Sequence, residues 1–379
     1  MTLYVRNRHG AGGMGAADSR EADAKKQARK AGLHYVDRSM PGITRRRSGR
    51  GFAFYGPDGS HIVDPDAIAR LRRLAIPPAY RNVWICPDPR GHLQAVGEDA
   101  RGRLQYRYHP LWQGVRDEGK FGHMLVFSEK LPLLRERVDH DLRRRGLERE
   151  RVLAAVVRLM ERTMARIGND RYAKENRSYG LTTLRHKHAT VHGRHLTLDF
   201  RAKHGIEQHL ELDDPRLARI VSCLEDLPGQ RLFQYVDADG IRHDIHSQDV
   251  NAYLQEITGA DITAKDFRTW AATQLAAVTL CAFSQYDTKA RAKKQLVAAV
   301  KSVAAKLGNT PAVCKRSYIN PCVLDGYLDG SLREAFKSRA QDVLDHEGYG
   351  LTAEEAAVTG FLASRLPDLK PGRDIGKAP

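Results

Sequence analysis

LTTLRHKHATVHGRHLTLDFRAKHGIEQHLEL, residues 181–212, is the stretch on which the fold class turns. Polar and apolar side chains alternate through Ala189–Val191 and again through Leu196–Phe200, the period of two expected of half-buried strands. A turn at His192-Gly193 and a second at Ala202–Gly205 separate the runs, so the segment reads as a three-stranded antiparallel sheet. Lys203 stands at the tip of the second hairpin, where a lysine is either solvated or offered to a ligand. His186, His188, His192, His195 and His204 are spaced along strands, not at helical or finger-like intervals, which argues against a metal cage.

Downstream of this sheet the pattern is helical. Asp214-Pro215 opens a helix carrying Leu217, Ile220, Val221 and Leu224, Phe233–Val236 is a short connecting strand, and Ser247 caps a helix ending near Gly259. Thr263 and Asp266 form a capping box for AKDFRTWAATQLAAVTLCAF, which is apolar on nearly every face and therefore buried. Arg268 lies within it, and a guanidinium in a core must meet an anion, either a carboxylate or a ligand phosphate. Lys289–Leu307 is basic at its start and apolar on one face. Gly308 ends that helix, Thr310 caps a new one with Pro311 as its first residue, and Pro321 stops it, leaving Tyr318 at the end of a tightly bounded turn. Tyr318 either packs there or, with Lys315 and Arg316 just before it, presents its oxygen to an anion such as a phosphodiester. A phenol is a weak nucleophile near neutral pH, its ordinary pKa being ~10, so attack needs cations around the electrophile. Two further helices, near Ser331–Asp345 and Thr352–Leu366, precede a Pro/Gly/Lys tail.

Upstream, Arg151–Ile167 places Leu153, Val156, Val157, Met160, Met164 and Ile167 on one face, with Arg166 at the helix end. A helix over Phe127–Arg145 precedes it. The N-terminal part is different in kind: Phe52 and Phe54 alternate before a Pro57-Asp58-Gly59 turn, a hairpin signal, and a helix at Asp66–Leu74 and strands at Val83–Ile85, His92–Val96 and Leu104–Tyr108 follow. In the last strand Gln105, Tyr106, Arg107 and Tyr108 combine hydrogen-bonding, cationic and stacking groups, suited to a DNA groove or to an ordinary half-buried edge. The expectation is an α+β protein with four parts: a basic N-terminal segment (1–42), a flexible arm or a loosely held helix; a β-rich N-terminal domain (43–112), a DNA-binding domain if that strand reads a groove; a mainly α-helical domain (120–366); and a flexible tail (367–379).

Lys and Arg outnumber Asp and Glu by 62 to 46 in 379 residues, a net charge of +16 that points to a polyanion, nucleic acid before an acidic membrane. No run is long and apolar enough to span a bilayer, nor is there an apolar signal-peptide core, so a soluble intracellular protein is expected. The five cysteines are scattered without a C-x-x-C pair and read as reduced thiols. Cys314, close to Tyr318, is a candidate nucleophile only by position, since no histidine base is spaced for it.

ARIGNDRYAKEN, SYGLTTLRHKH, DFRAKHG, KDFRTWAA and LGNTPAVCKRSY, in this order, resemble the type IB DNA topoisomerases, particularly the compact poxvirus-like and bacterial members, and IPPAYRNVW and LQYRYHP resemble that family's N-terminal domain. The resemblance covers about Ile43–Tyr327. It implies that Arg166, Lys203, Arg268 and Tyr318 occupy catalytic positions, Tyr318 as nucleophile and Lys203 as general acid. Where the family widely carries histidine this chain has Asn309, which can donate a hydrogen bond to a phosphate oxygen but cannot act as acid or base. The resemblance further implies DNA contacts at Gln105, Tyr106, Tyr108, Asn169, Arg171, Tyr172 and Lys265. It implies a monomer clamping double-stranded DNA in a bacterial nucleoid, with neither a metal nor a nucleotide cofactor. A site-specific tyrosine recombinase would share the Arg, Lys and Tyr chemistry, yet usually carries His at the place of Lys265 and has a helical N-terminal domain. A non-catalytic basic DNA-binding protein would account for the charge but leave Arg268 without a reason.

Overall fold

The computed structural model describes residues 14–339 and 350–365, and the chain divides into two units, residues 1–120 and 121–379. In the first, helix α1 (Met14–Lys30) precedes strands β1 (Ile43–Ser48) and β2 (Gly51–Tyr55), helix α2 (Pro65–Arg73), and strands β3 (Arg81–Ile85), β4 (Leu93–Glu98) and β5 (Leu104–Tyr108). These form one antiparallel sheet in the order β2-β1-β3-β4-β5. Ile43, Phe54, Val83, Ile85 and Ala95 make its apolar face, and Leu71 of α2 joins them. Asp64 caps α2 by accepting from the Ala67 N–H at 2.9 Å, with Pro65 at the first helical position.

One expectation changes here. The hairpin partner of the Phe52–Phe54 strand is the preceding charged run: Arg45 pairs with Phe54 and Arg47 with Phe52, while the Pro57-Asp58-Gly59 turn leads only to an isolated Tyr55–His61 bridge. Three arginines sit in a strand because Arg45 sends its guanidinium to the carbonyls of Ile76, Pro77 and Tyr80 while its neighbours stay exposed. The N-terminal segment, read as a flexible arm or a loosely held helix, contains α1, and Ala28 packs with Leu33 and Trp112 in a small core.

Helix α3 (Pro110–Leu142) runs on despite three internal glycines, Gly114, Gly119 and Gly122, and Pro132. The second unit continues with α4 (Arg149–Thr163), α5 (Asp170–Asn176), strands β6 (Ala189–His192), β7 (His195–Arg201) and β8 (Glu207–Asp213), and α6 (Pro215–Glu225). A short pair, β9 (Gln234–Val236) and β10 (Arg242–Asp244), leads to α7 (Ser247–Thr258), α8 (Ala264–Ala282), α9 (Lys289–Leu307), α10 (Pro311–Ser317), α11 (Pro321–Asp329), α12 (Ser331–Arg339) and α13 (Ala353–Arg365). The expected C-terminal tail, and the end of the helix expected to reach Asp345, lie outside the described residues. No helix among the described residues is long and apolar enough to cross a membrane.

The three-stranded sheet β6-β7-β8 is antiparallel, with His192 opposite His195 and Arg201 opposite Glu207 across its two turns. Leu196, Leu198 and Phe200, every second residue of β7, face the core. At the centre lie α4, whose Val152–Val157 are fully buried, and α8. Each such aliphatic side chain withdrawn from water contributes roughly 1.5–3 kcal/mol, so these helices are fixed points on which polar groups can be mounted. The fold is α+β, a β-rich N-terminal part followed by a mainly helical one.

Candidate active site

Helix α8 supplies the first fixed group. Asp266 accepts from the Thr263 N–H at 2.8 Å and starts the helix, whose Phe267, Trp270, Ala272, Ala276 and Leu280 are buried. Arg268, 5% exposed among them, meets no carboxylate: its Nη1 donates to the Met164 carbonyl and its Nη2 to that of Leu307 at 2.8 Å. Its Nε is buried without a hydrogen-bond partner among the described residues. Burial, then the charge of Arg166, pushes this guanidinium below its ordinary pKa, and the phenol of Tyr318 offsets part of the effect.

Arg166 does not end a helix, as the sequence suggested. Met164, in the left-handed region, closes α4, and Arg166 lies in the extended link before α5. That link is held by a second segment: Leu181 N–H donates to the Arg166 carbonyl at 2.9 Å, and Thr182 N–H to that of Ile167 at 2.7 Å. Gly180 is required there, since a Cβ would stand 2.5 Å from the Arg166 carbonyl oxygen. The Arg166 Nη2 donates to Asn309 Oδ1 at 2.5 Å and to the Gly308 carbonyl at 3.4 Å, while Asn309 Nδ2 is buried without a partner. Burial lowers the pKa of Arg166 too, again partly offset by Tyr318.

Tyr318 sits between two helices. Thr310 caps α10 by accepting from the Val313 N–H, and Pro321 opens α11 rather than merely stopping α10, with Asn320 as its cap. Across the turn, Thr273 Oγ donates to the Tyr318 carbonyl at 3.2 Å and accepts from the Asn320 N–H at 3.0 Å. The Arg268 guanidinium lies 5.3 Å from the centre of the Tyr318 ring.

A pocket of about 300 Å³ gathers Arg166, Lys203, Lys265, Arg268 and Tyr318, with Asn169, Tyr172 and Tyr179 on its wall and no carboxylate among its lining residues. Four cations and a phenol line this pocket, a charge arrangement suited to a tetrahedral oxyanion, and two buried donors without acceptors among the described residues, Arg268 Nε and Asn309 Nδ2, lie at or behind it. The five residues expected at the centre are thus together, Asn309 through its contact with Arg166. The surrounding expectations divide. Asn169 caps α5 by accepting from the Tyr172 N–H, and the Arg171 side chain pairs with Glu175 at 2.8 Å on the exposed side of that helix. Gln105, Tyr106 and Tyr108 belong to the first unit, where Tyr106 stacks with Tyr108 and Gln105 donates to Asp99 at 3.0 Å. Lys315, expected beside the phenol, lines a different groove with Leu296, Val300 and Leu324.

Cys314 is fully buried and its thiol is pushed up to about 11 by burial, so it stays protonated. His186 is engaged with the Arg231 carbonyl and His188 accepts from the Arg185 N–H. Among the described residues no group of three or more His, Cys, Asp or Glu side chains is placed to hold a metal ion. Gly180 and Thr273 leave no signal in the sequence, because both act through main-chain contacts formed only in the folded chain.

A family described as eukaryotic DNA topoisomerase I, catalytic core, matches residues 110–323, and one described as bacterial DNA topoisomerase IB, N-terminal domain, matches residues 51–99. DNA topoisomerase 1B of Acanthamoeba polyphaga mimivirus is 32% identical over 295 residues, 76% of this chain and 88% of the relative. DNA topoisomerase 1B of vaccinia virus (strain Copenhagen) is 21% identical over 274 residues, 70% of this chain and 83% of the relative. DNA topoisomerase 1 of rabbit fibroma virus (strain Kasza) is 24% identical over 243 residues, 61% and 70% of the two chains. Family domains and relatives alike are DNA topoisomerases, an enzyme class. Within that class, the chain belongs to the type IB DNA topoisomerase family.

Proposed function

We propose that this enzyme relaxes supercoiled duplex DNA by reversible cleavage of one strand at Tyr318. The Tyr318 oxygen attacks the scissile phosphorus, the bond from phosphorus to the 5′ oxygen breaks, and a 3′-phosphotyrosyl linkage forms. The phenolic proton leaves to water, and Lys203 gives a proton to the departing 5′ oxygen, which becomes a free hydroxyl. Arg166 and Arg268 hold the non-bridging oxygens, Asn309 Nδ2 adds a neutral donor, and Lys265 faces the neighbouring backbone. The free end swivels and the reverse reaction reseals it, the bond energy having been kept in the phosphotyrosine. With two guanidiniums and an ammonium at the phosphate, neither a metal ion nor ATP is needed. The working species is a monomer whose substrate is the chromosome of a bacterial nucleoid; basic surface holds the duplex through phosphate contacts, and Gln105, Tyr106 and Tyr108 in the first unit and Asn169, Arg171 and Tyr172 in the second lie against DNA.

The observation that carries this reading is the pair of buried donors, Arg268 Nε and Asn309 Nδ2, left without acceptors beside a phenol held under a guanidinium. An unmet buried donor costs about 1–3 kcal/mol, a debt that a phosphodiester oxygen would cancel. The test is incubation with supercoiled plasmid in EDTA without ATP. Relaxation with a denaturant-trapped covalent adduct is expected, and Tyr318→Phe should abolish both while leaving salt-sensitive DNA binding nearly intact. Persistence of the adduct in that variant would remove Tyr318 from its role.

A further inference from the structure

We infer that Tyr172 is a positioning residue for the cleavage step, its ring seating the Lys203 ammonium in the pocket; this rests on the role proposed above for Lys203. Lys203 occupies a tight hairpin end. Ala202 N–H donates to the Ile206 carbonyl at 2.7 Å and Gly205 N–H to that of Ala202 at 3.0 Å, with His204 and Gly205 in the left-handed region. The main chain of the tip is therefore closed on itself. What can wander is the four-carbon side chain, which is exposed and, among the described residues, pairs with no carboxylate. Its Nζ lies 5.5 Å from the centre of the Tyr172 ring. Both residues line the pocket that holds Arg166, Arg268 and Tyr318.

The main chain that carries the ring is fixed from two sides. Asn169 Oδ1 accepts from the Tyr172 N–H at 3.2 Å. The next residue, Asp170, anchors the helix start to two other segments, its carboxylate accepting from Arg231 and from His246 Nδ1 at 2.9 Å. Arg231 also donates to the Thr182 carbonyl, and Thr182 N–H holds the carbonyl beside Arg166. The seat of the ammonium and the main chain of Arg166 thus belong to one braced assembly. A lysine held by a salt bridge would be lost to proton donation, because the carboxylate would compete for its protons. A ring face attracts the cation yet accepts no proton, so the ammonium is localised and still free to donate.

In the cleavage step the Tyr318 oxygen bonds to phosphorus, the bond to the 5′ oxygen breaks, and that oxygen takes the proton from Lys203. A 5′ sulfur at the same position leaves as a stable thiolate and needs no proton, so it separates a defect in protonation from any other defect. Single-turnover cleavage would be measured on a duplex with an ordinary scissile phosphodiester and on one with a 5′-bridging sulfur, for the full-length protein and for Lys203→Ala, Tyr172→Leu and Tyr172→Phe. Tyr172→Leu should slow cleavage of the ordinary duplex by about three- to thirtyfold, the range between a solvated and a desolvated cation–π contact. The sulfur duplex should restore it to the rate of the unaltered protein, as it should restore Lys203→Ala. Tyr172→Phe keeps the ring, so the ratio of sulfur to oxygen rates should match that of the unaltered protein whatever its absolute rate. If sulfur rescues Lys203→Ala but not Tyr172→Leu, or if Tyr172→Phe behaves like Tyr172→Leu, the ring does not position the lysine and the proposal falls. If sulfur fails to rescue Lys203→Ala, the assignment of Lys203 as proton donor falls instead.

Discussion

Asn309 illustrates what one side chain can and cannot disclose from the sequence. That a neutral amide stands there, unable to exchange a proton, is legible in the residue itself. Which end of the amide is left without a protein partner is not, because that depends on Arg166, 143 residues away in the chain. Once Oδ1 has accepted from Arg166, only Nδ2 remains, and it has no partner. Asn309→Ala should therefore slow formation of the covalent adduct by roughly tenfold to a hundredfold, the worth of one hydrogen bond to a charged group. Asn309→Asp should be worse than the alanine variant, since a carboxylate would pair with Arg166 and repel the phosphate. The comparison is made on single-turnover adduct rates; an aspartate variant faster than the alanine variant would show that the amide does not face the scissile group.

Among the elements, α8 does the most to organise the site, and it does so twice. Arg268 approaches the face of the phenol, while Thr273 further along the same helix holds both sides of the Tyr318 turn. Removing the Thr273 hydroxyl leaves a carbonyl and an N–H unpaired in a fully buried position and frees the turn to rotate. Thr273→Val should lower adduct formation by about tenfold or more, whereas Thr273→Ser, which keeps the hydroxyl, should stay within about threefold, with DNA affinity the same in both. Equal rates for valine and serine would show that the turn is held without Thr273. The burial of α8 could be read in advance because the helix is apolar all round, and the β7–β8 hairpin because strand alternation is a local signal. Elements whose stability comes from distant partners were not readable. Strand β1 is charged and folds because the Arg45 guanidinium finds three loop carbonyls. The start of α3 persists through Gly114 and Gly119 against local propensity, and β9 and β10 are too short to leave a period.

At the scale of the whole molecule, the excess positive charge serves the DNA, but the catalytic unit also depends on charges turned inward. Arg135 of α3 meets both oxygens of Glu355 at 2.9 and 2.7 Å and donates to Glu161 of α4 at 2.7 Å, while Glu355 also accepts from the Thr352 N–H and from Trp270 of α8. One carboxylate thereby joins α13 to the helix that carries Arg268. Burial by itself would raise the pKa of Glu355, but the hydrogen bonds and charge of Arg135, with help from Thr352 and Trp270, outweigh it and hold the group below its ordinary value. A carboxyl whose folded pKa lies below its unfolded one stabilises the fold at any pH above the unfolded value, about 4.3 for glutamate, and that contribution is lost as pH falls through the folded value. Glu355→Gln should therefore unfold more readily than the unaltered protein at pH 7, by roughly 3 kcal/mol, because breaking a buried pair leaves Arg135 undercompensated. The difference should shrink as pH falls below the unfolded value, where the unfolded glutamate takes up its proton first, and vanish only once the folded group, held lower, is protonated too. Thermal or urea unfolding of the two proteins between pH 3 and 8 measures the offset directly. An offset that stays constant across that range would mean that Glu355 holds α13 by shape and neutral hydrogen bonds, with its charge contributing nothing.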